Sequence, residues 1–261
     1  MTVDRINAQA GGDPLRRIAL VTGSGRGLGR AIAEELARRG FHVVVNCARN
    51  ERQAAETVAA IEAEGGTAQA IVADVADPAA VTNMFARIAA QHSRLDVLIN
   101  NAGINRDGDF RTMSDADWHA VLATNLTGPF MCSRAAVPLF ELAGGGSIVN
   151  ITARTAQRPR KRGANYCAAK AGLSMLSKCM ALELAPTIRV NCVAPGTTDT
   201  AEVSERFALH TPEGLAKMLT PIALNRIATP DEIARLVAFV AVDATFMTGE
   251  EVLYDGGRNL A

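Results

Sequence analysis

From residue 17 onward the chain alternates short apolar runs with longer segments of helical periodicity, and few architectures accept that alternation. The runs are "RIALVTG" (17–23), "FHVVVN" (41–46), "AQAIVADV" (68–75), "LDVLINNAG" (95–103), "GSIVNIT" (146–152), "IRVNCVAPG" (188–196) and "EEVLYDGG" (250–257). Most are near-continuous in apolar residues, as strands covered on both faces are. Between them lie helical segments at 27–40, 51–66, 78–92, about 114–140, about 165–185 and about 201–240. The first closes on Gly40, the second on a glycine pair, and the third opens on Pro78, which are ordinary stop and start signals. The last is broken at Pro212, Pro221 and Pro230. Strands that alternate with helices of about ten or more residues pair in parallel through right-handed crossovers. The expected fold is therefore a single α/β domain, a Rossmann-type doubly wound parallel sheet of seven strands flanked by helices. No linker or composition break follows residue 16, so the domain is expected to span 17–261 and residues 1–16 to form a flexible tail.

Bulk properties narrow the partners. The 261 residues include 27 basic and 27 acidic side chains, so no global charge draws the chain to nucleic acid. No apolar run approaches the ~18 residues that would span a membrane, and the N-terminal stretch lacks the apolar core of a secretory signal. The cysteines (Cys47, Cys132, Cys167, Cys179 and Cys192) are odd in number and lie at no metal-ligand spacing. They read as reduced thiols of a cytoplasmic protein with no metal site.

Ligands of a doubly wound sheet sit beyond the C-terminal strand ends. The first such end carries "TGSGRGLG" (22–29), with glycines at 23, 27 and 29. They permit a tight turn and bring backbone N–H groups close to a ligand, and the following helix start suits a pyrophosphate. At the end of the second strand an NAD site usually places an acid for the ribose hydroxyl. Here the chain reads "NCARN" (46–50), with no acid until Glu51 and with Arg26 and Arg49 nearby. A guanidinium matches a phosphate, so NADP (NADPH) is expected over NAD.

These motifs belong to a longer series. "TGSGRGLG", "ADV" (73–75), "NNAG" (100–103), "NLTG" (125–128), "YCAAK" (166–170), "PGTTDT" (195–200) and "TGEEVLYDGG" (248–257) follow in order. From about 16 to 259 the chain resembles the short-chain dehydrogenase/reductase family, and within it the beta-ketoacyl carrier-protein reductases. The resemblance implies a cofactor site of Gly23, Ser24, Arg26, Gly27, Leu28, Gly29, Asn46, Arg49, Asp74, Val75, Asn101, Ala102, Gly103, Tyr166, Lys170, Pro195, Gly196, Thr198 and Thr200. It implies that Asp74 contacts adenine, that Thr200 meets the nicotinamide carboxamide and that Asn125 anchors a water leading to Lys170. Tyr166 and Lys170 lie four apart on one helix face. A nearby ammonium lowers a tyrosine pKa from about 10. Tyr166 could then give a proton to a carbonyl oxygen as hydride arrives at carbon.

One family residue is missing. The family places a serine, which binds the substrate carbonyl, thirteen residues before the tyrosine; here that residue is Ala153. Losing one such donor typically costs about a hundred- to thousand-fold in turnover. Thr152 and Thr155 flank the gap as possible substitutes. Three readings stay open: an active reductase with an altered site, a weak or specialised enzyme, and a non-catalytic cofactor-binding subunit supporting a partner reductase.

Residues 142–182 contain no acid and carry "RPRKR" (158–162) at the rim of the expected substrate cleft. Without interleaved aromatics this run does not read as a nucleic-acid site. An anionic partner fits it: a keto substrate on an acyl carrier protein, a coenzyme A ester or a carboxylate. A solvated loop or a subunit contact fits it too. The proline-broken region at about 201–226 looks like the family's substrate lid, with Phe207, Leu215, Met218 and Leu219 expected to shape the pocket. The resemblance implies a homotetramer assembled through the helices at 114–140 and 165–185.

Overall fold

The computed structural model describes residues 16–260. The expected tail therefore lies outside the described residues except for Arg16, as does Ala261. Seven strands form one sheet: β1 (Ile18–Val21), β2 (His42–Cys47), β3 (Thr67–Val72), β4 (Val97–Asn100), β5 (Gly146–Ile151), β6 (Ile188–Pro195) and β7 (Glu251–Tyr254). Every pair is parallel, in the order β3-β2-β1-β4-β5-β6-β7. Consecutive strands run outward from β1 in one direction, then jump to β4 and run outward in the other. The crevice between the ends of β1 and β4 is thus the switch point where such sheets take ligands.

Strand side chains alternate between two apolar layers. Val21, Val43, Val45, Val149 and Val193 face α1 (Gly27–Arg38), α2 (Glu51–Ala63) and α9 (Pro230–Ala238). Leu20, Val44, Leu98, Ile148 and Val190 face α3 (Pro78–His92), α5 (Gly128–Leu142) and α6 (Ala164–Leu184). Fully burying each such side chain stabilises by about 1.5–3 kcal/mol, and both sheet faces are closed in this way. Helix starts are capped locally. Asn50 accepts from Gln53 N at 3.1 Å and Asp77 from Ala79 N at 2.8 Å. Among the described residues no helix is long and apolar enough to cross a membrane.

The segment expected as one long helix at about 114–140 differs in detail. It comprises α4 (Asp115–Leu122), a π-helical turn (Ala123–Thr127) and α5. Asn125 Nδ2 donates to Val121 O at 2.9 Å and to Ile104 O at 2.9 Å. Val121 O is the acceptor that the Asn125 backbone N–H would use in an α-helix, so side chain and backbone compete for it. The helix widens there, as single π turns do at functional positions.

The last helical region is divided as its prolines imply, into α7 (Ala201–Arg206), α8 (Pro212–Leu219) and α9.

Candidate active site

The turn after β1 is pressed against the end of β4. Thr22 Oγ1 accepts from Asn101 N at 3.0 Å and Ala102 N at 3.1 Å, and Asn101 Nδ2 donates to Thr22 O at 2.9 Å. Gly23 has φ +63°, and a Cβ there would lie 2.9 Å from Ala102 Cα. Only glycine fits that approach. No side chain caps the start of α1, and its first turn contains no acid. Its N–H groups are therefore left to an anion from outside, and this cradle fits a dinucleotide pyrophosphate.

One cleft of about 1360 Å³ runs from this turn across the strand ends. It is lined by every expected cofactor residue except Ser24. Ser24 is buried, donating to Val21 O at 2.7 Å and accepting from Asn46 N at 3.1 Å, so it braces the turn from beneath. Asn46 reaches the cleft, yet its amide donates to Ile71 O at 3.1 Å and Ala73 O at 3.0 Å, tying β2 to β3. Arg49 is exposed, and Arg26 lies 3.8 Å from Glu202 on α7. Asp74 Oδ1 accepts from Ala76 N at 3.0 Å, and Thr200 caps α7 by accepting from Val203 N at 3.3 Å.

At the other end of the cleft, α6 presents Tyr166 and Lys170. Asn165, just before Tyr166, is buried. Its Oδ1 accepts from Tyr166 N at 2.7 Å and its Nδ2 donates to Arg106 O at 2.8 Å. Lys170 Nζ donates to Ile151 O at 2.7 Å and lies 5.7 Å from the centre of the Tyr166 ring. Burial pushes the Tyr166 phenol up to about 12 and pulls Lys170 down to about 8. The charges that oppose this rise are Arg160 and Arg206, not the Lys170 ammonium expected from the spacing. Asn125 Oδ1 is buried and meets no protein donor.

The basic loop is placed differently from a free rim. Arg160 turns inward, with its guanidinium carbon 5.2 Å from the Tyr166 ring centre. It donates to Asn105 Oδ1 at 2.8 Å and pairs with Asp107 through both carboxylate oxygens. Arg206 of α7 pairs with the same Asp107. One carboxylate thus joins the loop after β4, the basic loop and the expected lid. Arg158, Lys161 and Arg162 remain exposed. Phe207 and Met218 line the cleft, whereas Leu215 and Leu219 do not. Neither the Arg160–Asp107–Arg206 cluster nor Asn165 was singled out by the sequence reading; the only signal was the uncompensated charge of "RPRKR".

Ala153, Thr152 and Thr155 all line the cleft. Thr152 is an unsuitable substitute for a missing hydroxyl. Its Oγ1 lies 2.7 Å from Glu251 Oε1 and 3.2 Å from Val193 O, two acceptors for its single proton. Thr155 Oγ1 is buried with no partner in the protein.

A doubly wound sheet with a glycine-rich turn at its switch point and a Tyr–Lys pair across the cleft defines a nucleotide-dependent oxidoreductase framework. The chain belongs to the short-chain dehydrogenase family, whose "short chain dehydrogenase" profile matches residues 17–209. It is 41% identical over 246 residues to "Short-chain reductase protein NovJ" of Streptomyces niveus, covering 92% of this chain and 93% of that one. It is 40% identical over 245 residues to the 3-oxoacyl-[acyl-carrier-protein] reductase FabG of Staphylococcus aureus, covering 93% and 98%. Among solved structures, a gluconate 5-dehydrogenase from Burkholderia cenocepacia in complex with NADP and tartrate superposes with a TM-score of 0.87 at 33% identity, covering 94% and 96%.

Proposed function

We propose that the protein is an NADPH-dependent carbonyl reductase acting on 3-oxoacyl thioesters, presented on an acyl carrier protein or coenzyme A. The observation that carries this reading is the Tyr166–Lys170 pair, held on α6 across the cleft from the glycine turn. The name of the Staphylococcus aureus relative supports the substrate class.

Tyr166 is the acid. With its phenol held at about 12, it carries its proton at neutral pH and gives it to the carbonyl oxygen as that oxygen becomes an alkoxide. When bound, NADPH supplies the hydride to the carbonyl carbon. Lys170 orients the nicotinamide ribose. Asn125 Oδ1, buried without a protein donor, receives the water that leads to Lys170. Arg49 and Arg26 would hold the cofactor's 2′-phosphate, since the end of β2 offers no acid. Arg158, Lys161 and Arg162 form an exposed cationic rim that suits an acidic carrier. The working form is a cytoplasmic homotetramer whose region 201–226 closes over substrate as a lid.

The test follows NADPH absorbance with acetoacetyl thioesters. Turnover is expected, at least tenfold better with NADPH than NADH, with Arg49→Ala eroding that preference and Tyr166→Phe nearly abolishing the reaction. Ala153 is the observation that favours the rival reading of a non-catalytic subunit. Tight NADPH binding without turnover would establish the rival instead, and equal turnover by Tyr166→Phe would remove Tyr166 from the reaction.

A further inference from the structure

A carbonyl oxygen that gains negative charge during hydride addition is stabilised by donors aimed at it in a site that excludes water. Tyr166 supplies one donor. A second can come from the neighbouring wall of the cleft, where β5 ends and the chain turns through residues 152–156. Ala153 has no polar side chain. Thr152 has its proton occupied by Glu251 and Val193. Within the turn the Thr152 N–H is spent on Val193 O at 2.9 Å and the Ala156 N–H on Ala153 O at 2.9 Å.

That leaves Thr155. It sits in the 3-10 turn Arg154–Ala156, which packs against α6. It lines the same cleft as Tyr166 and Lys170, and its hydroxyl is buried with no partner. Buried hydroxyls are nearly always hydrogen-bonded, and one that is not costs folding free energy. Such a group is kept where an arriving ligand completes the bond. Hydroxyl and methyl share one carbon in threonine, and a single step about χ1 exchanges them at the cleft wall.

We propose that Thr155 is a catalytic residue that donates a hydrogen bond to the substrate carbonyl oxygen, in place of a donor at position 153. The assignment rests on the reductase reading above. In the reduction, the carbonyl carbon gains hydride from a reduced nicotinamide dinucleotide, which leaves oxidised. The oxygen takes the Tyr166 proton, and Thr155 keeps its own proton throughout.

The experiment compares wild type with Thr155→Val, Thr155→Ala, Thr155→Ser and the double variant Ala153→Ser/Thr155→Val. Steady-state reduction of an acetoacetyl thioester is measured, with NADPH binding followed by fluorescence. Thr155→Val and Thr155→Ala are expected to lower kcat about 100-fold, with NADPH binding retained and KM little changed. Thr155→Ser should run at least tenfold faster than Thr155→Val, and the double variant should recover at least tenfold over Thr155→Val. A second readout is independent of turnover: the infrared stretch of a ¹³C-labelled 3-oxo group bound with oxidised cofactor. It should move to higher frequency when the Thr155 hydroxyl is removed. Undiminished kcat in both removal variants, or an unmoved carbonyl stretch, overturns the assignment. A wild type that binds NADPH but reduces nothing defeats the reductase reading instead, and the carbonyl stretch still reads Thr155.

Discussion

Arg160 shows what a single residue can change at this site. It covers the Tyr166 ring and, with Arg206, is the positive charge that holds the phenol down against burial. On the proposed reading, reduction needs Tyr166 protonated, whereas alcohol oxidation needs it as the phenolate that accepts the proton. Oxidation should therefore quicken as pH rises toward about 12, while reduction persists at neutral pH, where the phenol keeps its proton. Arg160→Gln removes one stabilising charge, so the Tyr166 pKa rises further and the oxidation limb moves to higher pH. At a fixed pH near 9 oxidation is expected to slow, because a smaller fraction of Tyr166 is then phenolate. The full pH–rate profile of the variant checks this, and a limb that stays put or moves to lower pH would assign the charge effect elsewhere.

At the scale of elements, start and stop signals are the most legible part of the chain. Gly40 and Gly65 both adopt positive φ just beyond α1 and α2, and Pro78 opens α3. The π turn was not legible, because "ATNLT" carries no periodic mark and the widening accompanies a side-chain bond from Asn125. Nor was the Asp107 junction, whose partners lie 53 and 99 residues away along the chain. Thr152 was ambiguous for the same reason: its partner Glu251 is 99 residues distant. Element stability has its own test in α9, which packs along α1 and so supports the glycine turn. Thr229 accepts from Glu232 N at 3.3 Å, and Glu232 returns the bond to Thr229 N at 2.9 Å, closing a capping box. Arg226 and the Thr229 amide hold the Glu232 carboxyl down to about 2. The box is therefore complete at neutral pH and is lost only as pH falls through that value. Thr229→Ala is expected to cost about 1 kcal/mol, lowering Tm by roughly 2–4 °C without altering KM for NADPH. An unchanged Tm in calorimetry would show that packing, not the cap, sets α9.

For the whole molecule, the parallel doubly wound sheet follows from the alternation in sequence, since parallel pairing and right-handed crossovers leave few alternatives. What covers the outer helices does not follow from it. Phe130 on α5 and Met175 and Leu182 on α6 are exposed, the last by 84%, on the two helices expected to join subunits. Apolar groups shared by neighbouring helices mark contact surfaces. Light scattering should give the mass of four chains, and Met175→Lys combined with Leu182→Lys should yield smaller species. A monomeric wild type would rule this assembly out.

The seam between β1 and β4 has a further consequence. Arg26, Arg49 and Asp74 stand at strand ends on one side of it, while Tyr166, Lys170 and Thr155 stand beyond β5 on the other. The two groups share no side-chain hydrogen bond among the described residues. On the proposed reading the cofactor's phosphate would be selected on one half and the proton moved on the other, with α7 as the bridge between them, since its Glu202 meets Arg26 and its Arg206 meets Asp107. A change of cofactor preference made at Arg49 would then leave the proton chemistry as it was, whereas one made at Arg26 would be felt across the seam.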